Sequence, residues 1–192
     1  MKICIKNISF LLVLIGLLYI LLFSVTAKKN TYDNILVVKV FDGDTILLES
    51  GEKVRLIGID CPEAYENDKL TRDAQRTGQD IKAIIEMGKK ATEFTKNLIE
   101  GKKIRLELDV ERKDKYERLL AYLFLKASNL RIIRDTDTTK FKNGIPYLFV
   151  NAEIIADGFA QPMAIPPNVK YAELFQKLYQ DARENKRGLW NL

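Results

Sequence analysis

The 192-residue sequence contains no histidine. Without imidazole there is no Ser-His-Asp triad, no Cys-His pair and no histidine-ligated zinc. Cysteine is nearly as scarce. Cys4 lies in an apolar N-terminal stretch, so if that stretch is lost Cys61 has no partner for an internal disulfide and stability rests on packing. No internal repeat and no long low-complexity linker interrupts the chain, which has five prolines and a single tryptophan. Carboxylates, arginines and a metal that carboxylates hold are what remain for chemistry.

The length suits one compact domain plus a leader, and 47% hydrophobic residues can supply its core. The formal charge is +5, and two of these charges, Lys2 and Lys6, precede an apolar run from Ile8 to Phe23. A mild basic excess suits a polyanionic partner and equally an ordinary solvated surface. The order of basic residues, apolar run and small residues Ser24 to Ala27 is that of a secretory leader. Val25 and Ala27 offer a cleavage site, whereas an apolar run approaching ~20 residues also suits a retained membrane anchor. Residues 1–27 are thus expected to be leader or anchor, 28–34 a short linker and 35–192 the folded domain. The expected location is outside the cell, secreted or tethered to the outer membrane face through residues 8–27.

Ile35–Phe41, Thr45–Glu49 and Lys53–Ile59 read as a three-strand meander with turns at Asp42-Gly43 and Ser50-Gly51. Asp44, opening the second strand, and Asp60, closing the third, then fall at the same end of the sheet. Strict alternation puts Arg55 and Asp60 on opposite faces, and a bend or bulge at Gly58 is the expected remedy. Residues 64–80 read as an exposed excursion, followed by a helix over 81–98 interrupted near Gly88 and closed by Gly101. Residues 104–109 and 119–125 read as two further strands joined by a charged turn. Residues 126–146 read as a loose insertion with Asn143-Gly144 as turn material. A short helix over 150–156 and a longer amphipathic one over 171–185 complete the chain, with Leu174, Phe175, Leu178 and Trp190 as packing residues. The expected fold is α+β and mainly β: a five-stranded Greek-key barrel of the OB type with about three flanking helices, preceded by the N-terminal apolar helix.

The blocks Asp42-Gly43-Asp44-Thr45, Arg55 with Gly58-Ile59-Asp60-Cys61-Pro62-Glu63, Asp114 to Arg118 before Leu120-Ala121-Tyr122, and Gly188-Leu189-Trp190 occur in that order. With them the chain resembles the thermonuclease, or staphylococcal-nuclease-like, family from about Ile35 to Trp190. The resemblance implies that Asp44 and Asp60 ligate calcium with the main-chain carbonyl of Cys61. It implies that Glu63 orients or deprotonates the attacking water, that Arg55 and Arg118 clamp the scissile phosphate, and that Lys115 and Tyr116 contact a neighbouring phosphate. Asp42 is expected to be structural. The family's type member has threonine at Cys61, glycines at Glu117 and Leu119, and nucleotide-lining tyrosines near Met163 and Ile165.

These readings lead to the expectation of an exported Ca2+-dependent endonuclease that acts as a monomer on single-stranded or locally melted DNA and RNA. The product expected is a 3′-phosphate end. A silent OB module that only binds nucleic acid, or a membrane-tethered interaction domain, are the alternatives.

Overall fold

The computed structural model describes residues 31–65, 68–78, 80–127 and 138–191. The leader or anchor expected over 1–27 lies outside the described residues, as do residues 128–137 of the insertion expected over 126–146.

Five strands close a barrel: β1 (Thr31–Asp42), β2 (Thr45–Leu48), β3 (Lys53–Leu56), β5 (Lys103–Glu107) and β6 (Leu119–Lys126). β1 pairs antiparallel with β2 and β5, β2 with β3, and β5 with β6; parallel pairing of β3 with β6 shuts the cylinder. This is the OB arrangement, which leaves no open edge inside the barrel. Period-two alternation sends Val37, Ile46, Leu48, Val54, Leu56, Ile104, Leu106, Ala121 and Leu123 inward, where all are buried. Each fully buried Leu or Ile contributes roughly 1.5–3 kcal/mol. β1 already begins at Thr31, inside the stretch expected to be linker, with a register shift between Tyr32 and Ile35.

Three expectations are corrected. The 64–80 excursion contains a helix, α1 (Asp68–Thr77), which buries Leu70 although its sequence is polar on average. With α2 (Ile81–Ile99), α3 (Val150–Ala156) and α4 (Ala172–Glu184), four α-helices flank the barrel among the described residues, in line with the expected fold. Gly88 does not interrupt α2: it lies on the buried stripe Ile84, Gly88, Ala91, Thr95 and Ile99. A Cβ there would collide with the backbone of Glu63, so the glycine serves a close approach. The described end of the supposed loose insertion is a hairpin, β7 (Thr139–Lys142) and β8 (Ile145–Phe149), which extends the sheet beyond β6. Its two-residue loop Asn143-Gly144 has φ of 51° and 75°, the positive values that a type I′ turn requires.

The third strand of the expected meander is broken in two. β3 ends at Leu56, and after Gly58, with φ of 81°, the chain resumes as β4 (Gly58–Asp60) paired with β9 (Gln161–Met163). A side chain at Gly58 would strike the Phe175 ring of α4, so only glycine admits both the turn and the packing. Asn151, fully buried in α3, holds this corner: its side-chain amide donates to the Ile57 carbonyl at 2.9 Å and its oxygen accepts from the Leu123 amide at 2.9 Å.

Candidate active site

The break at Gly58 brings Arg55 and Asp60 to the same side. Arg55 Nη2 lies 3.1 Å from Asp60 Oδ1, and Nη1 lies 3.0 Å from Asp44 Oδ1. Nη1 also donates to the Leu56 carbonyl at 3.2 Å. Asp44 accepts in addition from the Thr45 hydroxyl at 3.1 Å and, on Oδ2, from the Cys61 amide at 2.9 Å. Asp42 completes the turn by accepting from the Asp44 amide at 3.1 Å, a local backbone bond that suits a structural role. Thr95 of α2 braces the same turn by donating to the Gly43 carbonyl at 2.9 Å.

Burial governs the electrostatics. Asp44 is 6% exposed, and desolvation pushes its carboxyl up to about 6, with the Arg55 guanidinium pulling the other way. Burial opposes the Arg55 charge, but Asp44 and Asp60 outweigh it and raise its pKa. The buried Cys61 thiol is pushed well above its usual range by desolvation, then by the nearby Asp44 charge.

Arg118 reaches the site from the start of β6, where Arg55 pairs with Leu120. Its Nε donates to Asp114 Oδ2 at 2.7 Å, and its amide to Asp114 Oδ1 at 3.0 Å. Burial works against the Asp114 charge, but the bonds from Arg118 and the Tyr116 amide prevail and lower its pKa. Arg55 and Arg118 line one cavity of about 160 Å³, with Gly58, Asp114, Met163, Ile165 and Asn168 among its other walls. Met163, ending β9, and Ile165, in the loop that follows, supply apolar wall. Asn168 ties that loop down, exchanging bonds of 2.9 and 2.8 Å with the Glu111 backbone.

Of the expected site residues Arg55 and Arg118 line this cavity, whereas Asp44 and Asp60, bound to Arg55, and Cys61 are not among its walls. Glu63 is half-buried three residues beyond Asp60, its backbone packed on Gly88. Lys115 and Tyr116 are exposed on the turn before β6, with Lys115 Nζ 5.0 Å and Arg118 Cζ 5.5 Å from the Tyr116 ring centroid. Glu117, at φ of 62°, turns its carboxylate to Lys113 at 3.0 Å. Asn151, Asn168 and Gly88 were not singled out from the sequence as site supports. The available signals were a lone amide in the apolar run Leu148–Ile155, an asparagine after Pro166-Pro167, and a glycine in a helical stripe.

The donor set suits a hard divalent cation. Ionised Asp44 offers about four lone-pair sites, of which three are taken by Arg55, Thr45 and Cys61. Asp60 adds a second carboxylate joined through the same guanidinium. All these donors are oxygen, as calcium prefers. Among the described residues no three acidic or cysteine side chains form a ready-made cage, so backbone, water and substrate oxygens are needed to complete the coordination.

An OB barrel with two guanidiniums facing one cavity, and carboxylates bound behind one of them, defines a protein equipped to hold a phosphoryl group. The chain belongs to the staphylococcal nuclease homologue family, whose model matches residues 53–192. It is 30% identical over 170 residues to a thermonuclease of Staphylococcus intermedius, covering 85% of this chain and 82% of that one. It is 28% identical over 168 residues to a thermonuclease of Staphylococcus hyicus, covering 86% and 78%. Endonuclease YhcR of Bacillus subtilis is 29% identical over 172 residues, covering 86% of this chain and 12% of that much longer protein.

Proposed function

We propose that this protein is an exported, calcium-dependent endonuclease that hydrolyses phosphodiester bonds of single-stranded or locally melted DNA and RNA. The observation that carries this reading is the convergence of Arg55 and Arg118 on one cavity, with Asp44 and Asp60 bound to Arg55. Relatives named thermonuclease and endonuclease support it. The leader pattern over residues 1–27 supports export.

Asp44, Asp60 and the Cys61 carbonyl are the groups that would hold calcium. A bound cation supplies Lewis-acid withdrawal of charge from a phosphoryl oxygen and lowers the pKa of a coordinated water. The remaining work belongs to the chain. Arg118, fixed through Nε by Asp114, keeps its terminal nitrogens for phosphate oxygens. Arg55 spends three N–H groups on Asp44, Asp60 and Leu56 and has two left for the same phosphate. Glu63 orients the attacking water or accepts its proton. The water oxygen bonds to phosphorus, the P–O5′ bond breaks, and a proton passes to the departing oxygen, leaving a 3′-phosphate and a 5′-hydroxyl. Negative charge grows on the phosphoryl oxygens in the transition state, so prepositioned guanidiniums stabilise it more than they stabilise the substrate.

The test is digestion of single-stranded DNA and RNA with added calcium, with chelator, and by Glu63→Ala and Arg118→Ala. The expected result is cleavage in calcium alone, 3′-phosphate ends, and loss in both variants. Full cleavage in chelator contradicts the metal assignment. Intact substrate in every lane with binding retained marks a non-catalytic OB module. An N-terminus at or near Lys28 in protein recovered from the medium would identify a removed leader.

A further inference from the structure

A second basic groove lies on the outer face of the sheet formed by β5, β6, β8 and β7 and takes no part in the chemistry above. Residues directly opposite on neighbouring strands share a sheet face. Lys126 is opposite Tyr147, and Tyr147 opposite Lys140; Lys142 is opposite Ile145, and Arg105 opposite Phe124. Ile104 is buried in the barrel, so Lys103 and Arg105 on either side of it turn outward. Lys102, Lys103, Arg105, Lys126, Lys140 and Lys142 line two cavities, about 750 and 280 Å³, that share Arg105, Lys142 and Tyr147.

The charges are poorly balanced. Among the described lining residues only Asp33 and Glu107 are acidic. Asp33 lies 3.5 Å from Arg105 and 3.3 Å from Lys142, while Glu107 is engaged by Lys170 at 2.6 Å. Six cations against two carboxylates leave four excess positive charges in this groove, against +5 for the entire chain. Like charges opposed on neighbouring strands of one sheet face repel, and a bound polyanion relieves that repulsion. The aromatics point to the kind of polyanion. Tyr147 sits between Lys126 and Lys140, and the Tyr171 ring, 5.9 Å from Lys140 Nζ, lines the same groove. Ammonium groups interleaved with accessible rings suit a single strand, whose phosphates and bases they meet in turn. A planar bilayer reaches the rims of such a groove but not its floor, where the Arg105 side chain is 15% exposed.

The cavity holding Arg55 and Arg118 shares no lining residue with this groove. β6 connects the two: Leu120, near its start, pairs with Arg55, and Lys126 ends it. At ~3.3 Å per residue that separation is about 20 Å, or about six stacked nucleotides at 3.4 Å each. We propose that the β5–β6–β8–β7 face is a second binding track that grips single-stranded nucleic acid several nucleotides from the bond being cut, an inference that rests on the nuclease reading for its substrate.

The test compares the wild type with Lys103→Gln/Lys126→Gln/Lys140→Gln and with the triple Lys→Arg variant at the same positions. Binding of a fluorescent 20-nucleotide single strand is measured in chelator over a salt series, and cleavage of that strand and of a dinucleotide is measured in calcium. The glutamine variant is expected to bind the 20-mer at least 10-fold more weakly, with the slope of log affinity against log salt smaller by about 2, since each lost phosphate contact removes about 0.7. Its KM for the 20-mer should rise while kcat, and all dinucleotide kinetics, stay unchanged, which also certifies the fold. The arginine variant should match the wild type. Equal binding of the 20-mer by wild type and glutamine variant overturns the proposal even if both cut DNA normally. Failure of the wild type to cut the 20-mer in calcium defeats the nuclease reading alone, because the binding comparison still decides the track. Wild-type binding to vesicles of anionic lipid but not to the 20-mer overturns it in favour of a membrane surface.

Discussion

Arg55→Ala separates what the arginine does for the fold from what it does for the reaction. Arg55 and Asp44 are the most buried ion pair of the site, with side chains 11% and 9% exposed and 3.0 Å apart. Breaking a buried pair by removing one partner costs about 3–5 kcal/mol, because the other charge is left uncompensated. The Asp44 carboxylate keeps its bonds from Thr45 and Cys61, and Asp60, at 29% exposure, recovers water, so the low end applies. A loss of about 3 kcal/mol lowers the melting temperature by about 6–12 °C in a domain of this size. The double variant Arg55→Ala/Asp44→Asn removes the stranded charge and should recover about half of that stability or more. Both variants should be inactive, since each lacks a phosphate ligand. Urea unfolding of the four corners of the cycle, with single-strand digestion alongside, reads both quantities. An Arg55→Ala protein within about 1 kcal/mol of wild type, or a double variant no more stable than the single, refutes the claim that this guanidinium neutralises a buried carboxylate.

Arg118→Lys should lower kcat by about 100-fold or more, the usual cost of one transition-state donor. Its effect on the urea midpoint should be small, because the side chain is 27% exposed. Asn151→Ala strands the Leu123 amide and the Ile57 carbonyl. It should cost about 2–4 kcal/mol at about 1–3 for each unsatisfied buried group, and an unchanged denaturation curve would show that the β3–β4 corner does not depend on it. Gly88→Ala improves helix propensity by about 1 kcal/mol but drives a methyl into the Glu63 backbone. The expected outcome is lower stability together with a lower kcat, whereas a stabilised and fully active variant would mean that Glu63 is not positioned by α2.

The alternating runs around Ile46, Val54, Ile104 and Leu123 were enough to give five barrel strands, because period-two burial is written in consecutive residues. The Asp42–Thr45 and Gly58–Glu63 blocks likewise marked the carboxylate end of the sheet, and an odd spacing between Arg55 and Asp60 required a break at Gly58. Other features depend on neighbours far along the chain. α1 is polar on average, so it reads as a loop until Leu70 is seen buried in the fold. Gly88 resembles a helix breaker until Glu63 is seen lying against it. Cys61 stands out by its place in the motif, but only the fold shows its amide holding Asp44.

The sequence by itself narrowed the chemistry available: with no histidine there is no imidazole base or ligand, and its motifs offer carboxylates and guanidiniums instead. Local pattern also determined the barrel, since alternation and turn residues act over a few positions. The tertiary structure alone decided that Arg55 and Arg118, 63 positions apart in the numbering, face one cavity, because parallel pairing of β3 with β6 sets them side by side. It likewise decided that lysines scattered from Lys102 to Lys142 collect on one sheet face. The physical reason is common to both: strand register is a relation between segments, and no single segment carries it.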